Sequence, residues 1–250
     1  MSELFPKELL DKGYETPDGS FAWQYSDLPE VLQTIVSGNK AILGGGMSAI
    51  VNGRSLNPFT MVDEDFEFPM WSTKPQNTDE DWTSYCRRTF EESLSELDSL
   101  KLDEIIQHNE HILFRPVYAG SGDPLLLVPR DKHDHARAEA AIAAGYPAVE
   151  PVLPQLLEWL QDMNWPVAQT LATFLAGIGP PLIPHVKKIF ETDDEIWKYW
   201  VIREILTESQ PLTEALQTEL KRIASSPTKS ELEEELDVEA REVLELHRLN

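Results

Sequence analysis

An internal repeat in the second half of the chain is the feature that most limits how it can fold. Three segments, PVLPQLLEWL from Pro151, PLIPHVKKIF from Pro181 and PLTEALQTEL from Pro211, follow one another at intervals of 30 residues with their apolar positions in step. Each predicts a helix with proline in its first turn. A second helical segment follows each of them, near Trp165, Trp197 and Leu236. Antiparallel helix pairs at this period predict an α-solenoid of the HEAT type.

Two helices are predicted in the first half of the chain. Asp27 and Glu30 have the spacing of a capping box, and Gly38 stands where that helix is expected to end. Thr78 with Asp81 predicts the start of a longer helix, whose apolar stripe contains Trp82, Cys86, Phe90, Leu94 and Leu97. Cys86 is the only cysteine, so the chain forms no internal disulfide, and its place on the stripe predicts a core thiol.

Extended segments around these helices predict a small antiparallel sheet. Residues 40–51 read as one strand with three glycines, and Asn52-Gly53 predicts a hairpin turn. The glycines lack the spacing of a phosphate-binding loop, which favours a bulge or tight turn. Residues 62–68 and 111–118 read as further strands. We therefore expect an α+β domain over residues 1–120, a linker near 119–131 and an all-α HEAT-like domain over 131–250.

The charge of the chain narrows the class of partner. The sequence has 44 acidic and 21 basic residues, which gives a net charge of −23. Such a field repels nucleic acid and anionic lipid, so we expect neither as a partner and favour a basic protein. No secretory signal is recognisable, and glycines and prolines interrupt the most apolar stretch, Ala168 to Ile183. We expect a cytoplasmic protein with no membrane segment, and the oligomeric state stays open.

One cluster of potential metal ligands stands out. His133 and His135 flank Asp134, with Asp131 nearby, so nitrogen and oxygen ligands lie within five residues. The remaining ligands of a complete site are missing, and a capped helix start explains the same residues. We therefore predict no metal, no cofactor and no catalytic residue. A metal-assisted hydrolase around Asp131, His133 and His135 is the alternative, and a regulatory protein-binding scaffold is another.

Both halves resemble known bacterial families. RDKHD from Arg130, the stretch from Tyr146 to Ala168, PLIPHVKKIF and the stretch from Asp193 to Ile202 resemble the helical family called domain of unknown function 5071, which is HEAT-like and has no established activity. AILGGGMSAIVNG, Trp71 and the segment from Asp79 to Leu97 are similar to the immunity protein 40 family of polymorphic-toxin systems. That second resemblance implies a cytosolic inhibitor, not an enzyme, that binds a toxin domain stoichiometrically. A nuclease is one basic toxin that an acidic inhibitor would suit.

Charge and aromatic residues mark two predicted partner-binding surfaces. In the first domain they are an acidic strand row, a tryptophan and a helix start: Asp63, Asp65, Glu67, Trp71, Asp79, Glu80 and Asp81. In the second domain they are the entrances to the second helices: Asp162, Trp165, Asp194, Glu195, Trp197 and Tyr199. The structural alternative is that these carboxylates cap helices and the tryptophans pack between repeats.

A charge-reversal test follows from the acidic strand row. Replacing Asp63, Asp65 and Glu67 together by lysine should weaken binding of a basic partner and reduce the salt dependence of that binding, because fewer opposite charges meet at the interface. Affinity measured over a range of salt concentrations checks this. An unchanged affinity and salt slope would exclude the row from the interface.

Overall fold

The chain divides into two compact units. The computed structural model describes residues 4–16, 19–51, 54–56, 71–99 and 112–249. The first unit spans Met1–Leu126 and the second Leu127–Asn250. The first combines helices with a small antiparallel sheet, and the second is helical, which confirms the α+β and all-α predictions at this level.

The first unit is built around one long strand. A short ribbon, β1 (Tyr14–Glu15) and β2 (Phe21–Ala22), precedes the long strand β3 (Ala41–Val51). The strand β6 (Ile112–Ala119) pairs antiparallel with one side of β3, and the strands β4 (Arg54–Leu56) and β5 (Trp71–Ser72) pair antiparallel with the other. Asn52-Gly53 lies outside the described residues, but Val51 pairs with Arg54, as a two-residue hairpin requires.

Glycines in β3 make room for a tryptophan of β5. The β3–β6 register shifts between Ile42 and Gly44, which confirms the predicted bulge. Gly44 has a φ of +135°, a conformation that other residues rarely adopt. A Cβ at Gly45 would overlap the indole of Trp71. Trp71 is 3% exposed and packs in the core, so the indole predicted to face a partner is covered by its own unit.

The helix α2 (Leu28–Ser37) follows α1 (Lys7–Leu10); it ends at Gly38 as predicted, but its N-terminal cap differs from the prediction. The predicted capping box is wrong, because Asp27 already has helical dihedral angles and its side chain makes no capping hydrogen bond. Lys12 instead lies 3.7 Å from the Asp27 carboxylate and 2.9 Å from that of Glu30. At the other end, Asn39 rather than Gly38 takes the left-handed conformation, with a φ of 56°.

The helix α3 (Trp82–Ser99) is fixed to β3 through a buried threonine. Asp81, rather than Thr78 as the predicted capping box requires, caps it by accepting hydrogen bonds from the backbone N–H groups of Thr83 and Ser84 at 3.0 and 3.1 Å. The hydroxyl of Thr89 accepts a hydrogen bond from Ile42 N–H at 3.1 Å and donates to the Cys86 carbonyl at 2.9 Å. Cys86 is buried, as predicted, and burial raises the pKa of its thiol.

The second unit contains the helix pairs that the repeat predicts. Its helices are α4 (His135–Ala144), α5 (Leu153–Glu158), α6 (Pro166–Ile178), α7 (Ile183–Phe190), α8 (Glu195–Trp200), α9 (Gln210–Ala215), α10 (Gln217–Ser225), α11 (Lys229–Glu233) and α12 (Leu236–Leu246). Two 3-10 turns, Glu150–Val152 and Trp159–Gln161, extend α5, and α8 continues as the π-helix Val201–Leu206. The helix α11 is an addition that the repeat does not predict.

The second helix of each pair packs against the second helix of the next pair. The helix α6 packs between α4 and the π-helical segment Val201–Leu206, and that segment packs in turn against α12. The apolar faces of these helices are fully buried, with Leu171, Ile205 and Ala240 at 0% exposure. Burial of such faces is the main source of stability in a stack of short helices.

No single helix in the described part of the chain is long and apolar enough to cross a membrane. The segments Pro166–Ile178 and Pro180–Phe190 pass a test of length and composition only when taken together, and they are bent by 107° at the break between them.

The glycine pair in β3 offers a test of the first unit. Gly45→Ala should lower the free energy of unfolding by about 1–3 kcal/mol, because the new methyl group overlaps the buried Trp71 ring. Gly46→Ala is the matched control, since a Cβ there meets nothing within 4 Å. Urea unfolding followed by hydrogen exchange at the β3 amides reports this unit separately. Equal effects of the two substitutions would contradict this role of Gly45.

Candidate functional site

Two neighbouring grooves in the second unit share one short segment. Residues 192–197 connect α7 to the first turn of α8, and Thr192 lines both grooves. We call them the acidic groove and the Trp197 groove. The sequence predicts three residues of this segment, Asp194, Glu195 and Trp197, as partner-binding residues, and all three line a groove.

The acidic groove is open and has a volume of about 540 Å³. Its described lining is Thr192, Asp193, Asp194, Glu195, Ile196, Ser230, Glu233 and Glu234. Five of these residues carry carboxylates, and none of the eight is basic. Ile196 is 44% exposed and adds apolar surface. The groove therefore presents concentrated negative charge around an exposed aliphatic side chain.

Buried polar contacts fix one wall of the acidic groove. The Asp194 carboxylate caps α8 by accepting a hydrogen bond from Trp197 N–H at 2.9 Å. Glu195 pairs with Lys198 at 2.6 Å, and their side chains are only 10% and 5% exposed. The other oxygen of Glu195 accepts a hydrogen bond from the Ser230 hydroxyl at 2.7 Å. That last bond joins α8 to α11, so the two walls are tied together.

A second ion pair fixes the opposite wall. Glu231 accepts two hydrogen bonds of 2.6 Å from the Arg222 guanidinium, and its side chain also completes a capping box with Thr228 at the start of α11. Glu231 is 1% exposed, and the Arg222 guanidinium lowers the pKa of its carboxyl. Glu233 and Glu234, at the end of this short helix, are thereby held in the groove lining.

The Trp197 groove lies between the first helices of two successive pairs. It has a volume of about 180 Å³ and is lined by Pro154, Leu157, Glu158, His185, Lys188, Ile189, Thr192 and Trp197. The Trp197 indole N–H donates to the Leu157 carbonyl at 3.0 Å, which links the two pairs. Partial burial raises the pKa of the Glu158 carboxyl; burial, and then the charge of Lys188, lower that of His185.

The other predicted residues of the second unit serve local structure. Asp162 accepts hydrogen bonds from the backbone and side-chain nitrogens of Asn164 at 2.8 and 2.9 Å. The ring of Trp165 packs edge-on against Trp159, with centroids 5.5 Å apart. Tyr199 accepts a hydrogen bond from Arg203 at 3.1 Å. None of these three predicted residues lines either groove.

In the first unit, the predicted helix-start residues are described and the acidic strand row is not. Glu80 pairs with Arg88 at 2.8 Å, and this guanidinium lowers the pKa of the Glu80 carboxyl. Asp81 caps α3, and Asp79 is exposed. The predicted row Asp63, Asp65 and Glu67 lies outside the described residues.

The His/Asp cluster forms a helix start. The Asp131 carboxylate accepts a hydrogen bond from His133 N–H at 2.8 Å. Asp134 caps α4 and pairs with the buried Arg137 at 2.7 Å. Within the part of the chain that the structure describes, no three His, Cys, Asp or Glu side chains are grouped so that they could hold a metal ion.

Sequence reasoning missed most of the groove lining, because it predicted only Asp194, Glu195 and Trp197 of the fifteen lining residues. Glu233 and Glu234 belong to an acidic run visible in the sequence, but nothing local indicates that it faces Asp193. His185 and Lys188 fall on the polar side of a predicted repeat helix. The repeat register was the available signal, because Leu157 and Ile189 lie in successive repeats and their helices are expected to be neighbours.

The second unit matches one known protein family. Residues 127–244 match the model of the family described as Domain of unknown function (DUF5071), which confirms the resemblance predicted for this half. The resemblance of the first half to the immunity protein 40 family finds no support. No curated protein matches the chain.

The buried ion pair at the acidic groove makes a stability prediction. Lys198→Met should lower the free energy of unfolding by about 3–5 kcal/mol, because it leaves the Glu195 carboxylate buried without its cation. Adding Glu195→Gln should recover much of that loss. Lys229→Met, which removes the partner of Glu233 from a pair whose side chains are 90% and 61% exposed, should leave stability unchanged. Chemical denaturation of the full chain compares the three, and equal losses for Lys198→Met and Lys229→Met would contradict the assignment.

Proposed function

We propose that this chain is a protein-binding module that takes a basic protein partner without catalysing a reaction. The acidic groove is the observation that carries the proposal, since it gathers five carboxylates and an exposed isoleucine into one described concavity with no basic lining residue. Charged surface around an apolar residue is typical of interfaces. The net charge of −23 adds a long-range field that accelerates encounter with a basic partner.

The carboxylates of the groove divide into two kinds, which suits binding. Asp194 is held by its helix cap, so it presents fixed charge at little further cost in conformational entropy, whereas Glu195 is neutralised by Lys198 and holds the wall of the groove. Asp193, Glu233 and Glu234 are exposed and able to adjust to a cation on a partner. Hydrogen bonds from lysine or arginine to such carboxylates are charge-assisted and stronger than neutral ones.

The more specific form of the proposal is stoichiometric inhibition of a basic toxin, as the predicted immunity role implies. It rests on the charge of the chain and on the resemblance stated for the first half. A regulatory scaffold with a partner from the same cell would use the same groove. The identity of the captured partner distinguishes the two, because an inhibitor retains a toxin domain at one-to-one stoichiometry.

We further propose that the second unit is a short HEAT-like solenoid. The support is the order of packing, in which α6, the π-helical segment and α12 follow one another as second helices. The hydrogen bond from Trp197 to Leu157 joins neighbouring repeats through two residues that are 40 positions apart in the sequence. Grooves between successive repeats are surfaces that solenoids use for binding.

Charge reversal in the acidic groove tests the proposed function. The substitutions Asp193→Lys, Glu233→Lys and Glu234→Lys, made together, should weaken capture of the partner from native lysate at least tenfold and flatten the dependence on salt, because they invert the most exposed charges of the groove. Affinity capture at low and high salt, with mass identification and quantification of the retained chain, measures both effects.

A matched control keeps the total charge change the same. Glu139→Lys, Glu242→Lys and Glu245→Lys are exposed positions outside the groove lining. This variant should retain most of the capture. Equal losses in the two variants would show that only net charge matters and would remove the groove from the proposal. Capture of no basic chain by the wild-type protein would contradict the proposal as a whole.

A further inference from the structure

We propose that the Trp197 groove binds one bulky apolar side chain from the same partner segment whose basic side chains enter the acidic groove. This inference rests on the proposed function and specifies the chemistry of the partner. The partner segment would combine lysine or arginine with a leucine, isoleucine, phenylalanine or tryptophan a few residues away.

The lining of the Trp197 groove suits an apolar occupant. Its walls come from Leu157 and Ile189, which are buried aliphatic residues, together with the rings of Pro154 and Trp197. The groove has a volume of about 180 Å³ and is open to water. A single large side chain can displace that water, and burial of its apolar surface then favours binding.

The polar groups of the Trp197 groove do not favour a charged occupant, so its apolar walls determine which side chain binds. Glu158 comes from one helix, and His185 and Lys188 come from the helix that faces it. The two helices therefore contribute opposite charges to the groove, which gives neither a cationic nor an anionic side chain a clear preference. The shifts already noted for Glu158 and His185 agree, because partial burial disfavours the charged form of each.

The two grooves are close enough for one segment to occupy both. Thr192 lines both of them, and the consecutive residues Ile196 and Trp197 each line one. Ile196 is 44% exposed, so apolar surface continues from one groove to the other. An extended peptide advances about 3.3 Å per residue, so a segment of a few residues spans adjacent grooves.

Charge complementarity decides which occupant the surface fits. Of the five carboxylates in the acidic groove, only Glu195 is neutralised by a buried lysine, so the remaining negative charge favours a basic segment. A second copy of this chain is a poor occupant, since each copy carries a net charge of −23 and the copies repel each other. The apolar side chain lengthens the lifetime of the complex, because its burial slows dissociation. Exposed ion pairs mainly affect the rate of encounter.

A selection experiment tests the partner chemistry without knowledge of the natural partner. A display library of random twelve-residue peptides is selected against the full-length chain at moderate salt. We expect enrichment of peptides that contain at least two basic residues and one bulky apolar residue within five positions. Replacing that apolar residue by alanine in a selected peptide should weaken its binding about tenfold or more, as measured by fluorescence anisotropy.

Two protein variants then locate the anchor. His185→Trp fills the Trp197 groove and should weaken the selected peptide about tenfold, whereas Thr218→Trp, an exposed position on α10 outside both linings, should not. The alanine-substituted peptide should bind wild type and His185→Trp equally. The NMR methyl signals of Leu157 and Ile189 in the wild-type protein should shift with the selected peptide and not with the alanine peptide.

The outcomes separate this inference from the function on which it rests. Selected peptides that are basic but show no apolar preference, or an apolar residue whose replacement changes neither affinity nor the two methyl signals, would overturn the inference and leave the proposed function standing. Selected peptides without basic residues, or a selection that yields no binder, would overturn both.

Discussion

The buried ion pair between Glu195 and Lys198 is the contact on which the candidate site depends. Two charges with almost no access to water are tolerated only when each satisfies the other, and Glu195 uses its second oxygen to hold Ser230 on α11. Since buried pairs contribute more to a single arrangement than to net stability, we regard this pair as a positioning device. The pair holds the Glu195 carboxylate where it accepts the Ser230 hydrogen bond, which ties the start of α8 to the wall that carries Glu233 and Glu234.

Trp197 has an equivalent role between repeats. Its indole N–H satisfies the Leu157 carbonyl, its backbone N–H satisfies the Asp194 cap, and its ring still lines a groove. Asp194 therefore caps a helix and Trp197 packs between repeats, as the structural alternative for the acidic and aromatic helix entrances predicts. This structural role does not exclude the binding interpretation, because a residue fixed by one backbone and one side-chain hydrogen bond offers a rigid surface to a partner.

The two grooves combine different contributions to binding. Exposed carboxylates attract a partner over a distance and fix its orientation, and salt weakens this effect. An apolar pocket acts only at contact and is insensitive to salt. Neither groove alone has the size of a stable protein interface, so a partner would also cover surrounding surface.

In the first unit, the helix start with Asp79, Glu80 and Asp81 stays a predicted binding surface. Glu80 already forms an ion pair and Asp81 already caps the helix.

The sequence by itself determined the repeat, the helices of the second unit other than α11, the long strand that precedes Asn52-Gly53, the bulge at the glycines of β3 and the core position of Cys86. These features follow from spacing, turn chemistry and apolar periodicity, which act over a few residues. Only the tertiary structure decided that Lys12 pairs with the carboxylates of Asp27 and Glu30, which were predicted to form a capping box. The same is true of the burial of the Trp71 ring against Gly45. The tertiary structure also decided which acidic residues meet, since Asp193 and Glu233 line one groove whose walls are joined by the hydrogen bond between Ser230 and Glu195, 35 positions apart, and no local pattern records such a contact.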